Sequence, residues 1–187
     1  MLQTAFKEWA VIFRALAEGR QAVILRKGGI AEAGGQFRPE HDRFLLYPTF
    51  FHEQHRTGIK PELTTLLDAA EAERPPAGTI RFTHLAAVAA VYHVTDLEKA
   101  LALGELHGWT ADTVRQRFAY RTPGLYVLPV RVYRLLRPAD VVERPEYAGC
   151  KTWVELDAAV PTDGAAPVLS DEAFAEVLRK VIAVSRS

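Results

Sequence analysis

Arg20 to Ile30 reads RQAVILRKGGI, and its apolar centre, Ala22, Val23, Ile24 and Leu25, has the pattern of a short buried strand. Arg26 and Lys27 follow it, then Gly28 and Gly29, so two fixed positive charges stand on a flexible turn at the strand's end. Upstream, Phe6, Trp9, Phe13 and Leu16 recur at spacings of three and four. They predict a helix from Ala5 to Glu18, capped by Thr4, ended by Gly19 and laid over the sheet that Ala22 to Leu25 enters. Downstream, the polar, glycine-rich AEAGGQFRPEHDR reads as a loop. It leads to a second short strand, Phe44 to Tyr47, which Pro48 is expected to end. Parallel pairing of the two strands would bring Arg26 and Lys27 beside the segment after Pro48. Antiparallel pairing would bring them beside His41 and Arg43, and the sequence leaves both open.

After Pro48, TFFHEQHRTGIKPE holds the densest set of functional side chains. His52 and His55 share a side if the segment is helical and oppose each other if it is extended. The zinc-protease spacing is absent, because Arg56 stands four residues after His52. Pro61 opens a helix carrying Leu63, Leu66, Leu67 and Ala70. Ile80 to Val94 ends as a strand, with an alanine-rich start that is also compatible with helix. Thr95 with Glu98 predicts a capping box. Thr110 predicts another cap, with Trp109 and Val114 as its hydrophobic staple. The long run Leu125 to Leu136 contains Pro129, which predicts an edge strand, a bulge, or two strands bent at the proline. Cys150 to Leu156 supplies a last strand. Ser170 caps an amphipathic helix through Phe174, Val177, Leu178, Val181 and Ile182. The expected fold is α+β over residues 1–187 as a single domain, a small mixed β-sheet or a strongly bent small barrel with flanking helices.

The chain has 187 residues, with 23 basic and 23 acidic side chains, which argues against a bulk nucleic-acid coat and directs attention to local patches. Its single cysteine, Cys150, excludes an internal disulfide and an all-cysteine metal site. The absence of a signal-peptide pattern and of an apolar run of about 20 residues predicts a cytoplasmic protein without a membrane partner. No phosphate-binding glycine loop or dinucleotide fingerprint is present, and no cofactor or metal is assigned.

Taken together, KEWAVIFRALAEGRQAVILRKGGI, RFLLYPTFFHEQH, the segment around His107 and Trp109, LYVLPVRVYRL, GCKTWVEL and the helix opened by Leu169, Ser170 and Asp171 resemble an uncharacterised bacterial domain of unknown function, family 1802, across almost the whole chain. That resemblance brings no activity with it. The opening helix followed by GRQAVILRK also resembles the ASCH group of the PUA-like superfamily, which implies a small β-barrel associated with RNA or nucleotide binding.

The working expectation is a module that binds a nucleotide, RNA or single-stranded DNA. Its ligand residues would be Arg26, Lys27, Gly28, Gly29, Arg43, His52, His55, Lys60, Lys151 and Trp153. Arg supplies a planar fork and Lys a compact charge to a phosphate, while Trp153 beside Lys151 would stack on a base. Arg14, Arg20, Arg26, Lys27, Arg38, Arg43, Arg56 and Lys60 give the first half a basic excess and predict a positive groove. The bland reading makes Arg26 and Lys27 a solvated strand end and gives the histidines local hydrogen bonds. A rival class is a metal-dependent phosphodiester hydrolase or nuclease using His52, His55 and Glu53. A third is a structural protein-interaction domain, including a homodimer.

Overall fold

The computed structural model describes residues 1–27, 41–50, 54–149 and 151–186. Its first element departs from expectation: Leu2–Trp9 is a strand, β1, and only Ala10–Ala17 is helical, as α1. The reason is two-sided burial. Ala5 packs into one apolar cluster and Phe6 into the other, which alternating side chains on a central strand achieve and one helix face does not. Gly19 ends α1 at φ +70°, and an added Cβ there would stand 2.8 Å from Leu169 Cδ2.

The other strands are β2 (Val23–Arg26), β3 (Arg43–Thr49), β4 (Thr79–Val88), β5 (Tyr92–Val94), β6 (Leu125–Val142), β7 (Trp153–Val160) and β8 (Ala166–Pro167). Among the described residues they form one sheet in the order β2-β6-β4-β3-β1-β7, with β5 and β8 also paired to β6. β1 and β3 are parallel and the remaining pairs antiparallel. The sheet is strongly curled. In a flat sheet β2 and β1 would lie about 19 Å apart at ~4.8 Å per strand, yet Arg26 Nη2 donates to Lys7 O at 2.5 Å. No ladder among the described residues joins β2 to β1 or β7.

Both prolines behave differently from expectation. Pro48 lies inside β3, opposite Glu8, beyond the last β3–β4 pair at Leu45, where a missing amide proton breaks no ladder to β4. Pro129 lies within a long central strand, where β6 passes from β2, paired through Val23 and Pro129, to β4, paired from Val130 onward. The edge-strand reading is therefore replaced by a hand-over of partners at the proline. Ala86 and Ala87 belong to β4 rather than to a helix. Asp96, not Thr95, caps α4 (Leu97–Ala102) by accepting from Glu98 N at 2.8 Å. Thr110 and Ser170 cap α5 (Ala111–Ala119) and α6 (Asp171–Arg186) as expected. Two short helices, α2 (Gln54–Gly58) and α3 (Thr64–Ala72), fill the β3–β4 connection.

Two histidines are enclosed by this packing. Burial, aided by Arg134, pulls His84 down to about 4, and burial, aided by Lys60 and Arg117, does the same to His107. Both folded values lie below the unfolded value near 6.5, so the unfolded chain takes up protons first as the pH falls. Stability is fully present above about pH 6.5, is lost as the pH falls toward 4 and levels off below that, by up to roughly 3 kcal/mol per histidine. Urea unfolding at pH 7.5 and 4.5 should show this slope, and His107→Gln should reduce it. An unchanged slope in that variant would rule out a buried neutral His107.

Candidate ligand-binding site

Along β1 the alternation that sends Phe6 inward also sends Glu8 inward, at the point where the chain turns into α1. The Glu8 side chain is only 2% exposed. Oε1 accepts from Trp9 N at 2.9 Å, while Oε2 makes no hydrogen bond among the described residues and stands 3.6 Å from Arg26 Nη2. Thr49 Oγ1 holds the Glu8 carbonyl at 3.0 Å, which brings the end of β3 to the same place.

Arg26, at the end of β2, sits over the Phe6 ring with its guanidinium carbon 4.2 Å from the centroid. Its Nη2 bridges to β1, and its buried Nε is without a partner among the described residues. A second guanidinium arrives from α5. Arg117 stacks 3.8 Å from the Trp109 centroid and 5.5 Å from that of Trp9, the two indoles meeting edge to face at 4.6 Å. Among the described residues its guanidinium forms no hydrogen bond or ion pair. Burial pulls Arg117 below the ordinary arginine value; Glu8 opposes this and Arg26 adds to it, so the three charges share one field.

Lys27 has a supporting part. Its ammonium donates to Phe118 O at 2.9 Å, to Gly124 O at 2.8 Å and to Thr122 O, filling all three of its donors. It thereby ties the last turn of α5, and Arg117 with it, to the end of β2. Beneath Trp109, His107 Nδ1 accepts from Trp109 N at 3.2 Å and its buried Nε2 has no partner among the described residues.

The family model for the domain of unknown function DUF1802 matches residues 5–180, a span that takes in Glu8, Arg26 and Arg117. The chain belongs to the DUF1802 family. No curated protein sequence matches this DUF1802 chain. Among solved structures it is similar to the ASCH protein of Zymomonas mobilis, at 12% identity and TM-score 0.46 over 94% of this chain and 93% of that one. Two single-residue variants of the same protein match at 14% and 11% identity, with TM-scores of 0.43 and 0.46. Both span 94% of this chain, and 94% and 96% of theirs.

Of the residues marked in the DUF1802 sequence, Arg26 and Lys27 stand at the site, the first facing Glu8 and the second engaged with carbonyls. Neither expected strand pairing occurs. β2 and β3 are separated in the sheet, and their ends converge because each touches the end of β1. Arg43 is exposed at the opposite end of β3, beside Ala87. Lys60 donates to Gly104 O, and exposed Lys151 donates to Glu146 O at 3.2 Å. Trp153 packs edge to face on Phe6 at 4.9 Å and Phe44 at 5.1 Å, which makes it part of the core packing rather than a free stacking face. Gly28, Gly29, His52 and Glu53 lie outside the described residues, as does the side chain of His55. Among the described residues no group of three or more histidine, cysteine, aspartate or glutamate side chains is placed to hold a metal. Among the described residues these basic side chains do not gather into one broad groove. Arg14 pairs with Glu18 and Glu73, Arg20 with Glu18, and Arg56 with Asp68, while Arg38 is outside the described residues. The sequence reading missed Glu8, Trp9 and Arg117 as site residues, although a charged Glu8 two residues after Phe6 on an apolar strand face is the signal that could have found the site.

Proposed function

We propose that this DUF1802 protein is a cytoplasmic module that binds a nucleotide or a short single-stranded nucleic acid, with a phosphate held between Arg26 and Arg117. The observation that carries this reading is the charge count of a half-buried cluster. Two guanidiniums face one carboxylate, and that carboxylate hydrogen-bonds neither of them. Arg117 and Arg26 thus keep unused donors in a setting with restricted water, where a bidentate anion gains more than it would on the surface. The Trp109 ring lies 3.8 Å from the Arg117 guanidinium carbon and holds that side chain in place for a phosphate. In the described residues no helix is long and apolar enough to cross a membrane.

The test is fluorescence anisotropy with a 5′-labelled oligonucleotide of mixed sequence, alongside a labelled mononucleotide. Arg26→Ala and Arg117→Ala should each weaken binding by about 1–3 kcal/mol, with a shallower salt dependence. Arg43→Ala, exposed and remote, should leave it unchanged. Equal loss in all three variants, or no salt-dependent binding at low ionic strength, would reject the site.

A further inference from the structure

A different face of the molecule carries a second feature. Between the pairs Phe82 with Ala139 and His84 with Arg134, β4 advances by two residues while β6 advances by five. Beside this irregularity and against α1 lies a cleft of about 570 Å³, lined among others by Phe13, Thr83, His84, Arg134, Leu135 and Leu136. Its size and mixed lining fall in the range of small-molecule sites, mostly apolar with a few directed polar groups.

The polar groups are specific. His84 and Arg134 are cross-strand partners, so their side chains leave the sheet on the same face. His84 is 8% exposed, and its Nδ1 stands 2.8 Å from Thr83 Oγ1. A Thr83 hydroxyl that donates to Nδ1 leaves the imidazole proton on Nε2, which has no partner among the described residues. Arg134 likewise has no hydrogen bond or ion pair among them. The other arginine of the cleft, Arg14, is already held by Glu73 at 2.7 Å and Glu18 at 3.0 Å. One free guanidinium therefore faces the cleft together with two carboxylates that repel surplus negative charge. The apolar side is equally marked, since Leu136 is 72% exposed at its rim.

We infer that this cleft binds an amphipathic organic monoanion, its acid group against Arg134 and His84 and its apolar body over Phe13, Leu135 and Leu136. A single free cation suits one negative charge. The two carboxylates disfavour a dianion such as a phosphate monoester. The exposed leucine is covered when an alkyl or aryl body lies on it. This site shares no residue with the Arg26–Arg117 cluster, so either stands if the other fails.

The experiment is displacement of the fluorescent aromatic monoanion 1-anilinonaphthalene-8-sulfonate by sodium octanoate from the folded full chain, with inorganic phosphate as a second competitor. Saturable binding, displacement by octanoate and none by phosphate are expected. Arg134→Ala should weaken both probes by about tenfold, and exposed Arg137→Ala should leave them unchanged. Leu136→Asp, at a position exposed enough to leave folding intact, should abolish binding by placing a like charge at the rim. Undiminished binding in both Arg134→Ala and Leu136→Asp, displacement by phosphate as effective as by octanoate, or no saturable binding would each overturn the inference.

Discussion

Glu8→Gln is expected to lower stability by about 2–3 kcal/mol while tightening the grip on a phosphate-bearing probe. The stability loss follows from removing the one carboxylate that offsets Arg26 and Arg117. Breaking a fully buried pair costs about 3–5 kcal/mol, and the lower figure applies because Arg26 keeps 20% exposure and its 3.6 Å approach is not a hydrogen bond. The amide retains an acceptor for Trp9 N but turns its own donors toward a guanidinium. Affinity moves the other way. With Glu8 neutral, two cations face the ligand without an internal competitor, so a labelled oligonucleotide should bind several-fold tighter at low salt, with the gain shrinking as salt screens the site. Urea unfolding and anisotropy on the same sample separate the two effects. If binding falls together with stability, Glu8 positions the guanidiniums or touches the ligand, and the simple competition model is wrong.

The parts of the fold that could be read from the chain are those specified locally. Ala22 to Leu25, Phe44 to Tyr47 and Leu125 to Leu136 are apolar runs whose burial needs no partner to be named, and Thr110 and Ser170 cap the helices that follow them. β1 was hidden because Phe6, Trp9, Phe13 and Leu16 satisfy a helical stripe. Only the parallel pairing of Ala5 to Trp9 with Leu45 to Thr49, a tertiary fact, makes Leu2–Trp9 a strand. The same holds for Pro129. Its lack of a donor is local, whereas the exchange of β2 for β4 that accommodates it depends on how the whole sheet curls.

The candidate site was half legible for a related reason. Arg26 and Lys27 stand out at the end of an apolar run, but nothing nearby in sequence says that one faces a carboxylate and the other three carbonyls. Arg117 sits in ADTVRQRFA among other polar residues, and an arginine on the polar side of a short helix reads as solvated. It becomes a site residue only because Trp109, anchored by the bridge to Ile59, and Trp9, at the start of α1, bring aromatic faces to it.

Trp109→Ala tests that aromatic anchor and should have the largest effect on stability of any change at the site. The indole is 1% exposed, wedged against Trp9 and beneath Arg117, and removing a buried ring of this size costs about 3–5 kcal/mol. Arg117 would lose its stacking surface and take up a wider range of rotamers, so binding should fall as well, for want of preorganisation rather than of charge. Trp109→Phe divides the two contributions. It keeps an aromatic face for Arg117 and a smaller side chain in the same space, so the stability loss should drop to about 1–2 kcal/mol and oligonucleotide binding should stay close to that of the parent chain. Thermal unfolding and anisotropy on both variants provide the check. A Trp109→Phe protein that unfolds near the parent temperature yet binds as weakly as Arg117→Ala would show the indole itself in contact with the ligand, whereas full binding in Trp109→Ala would remove Arg117's stacking from the argument altogether.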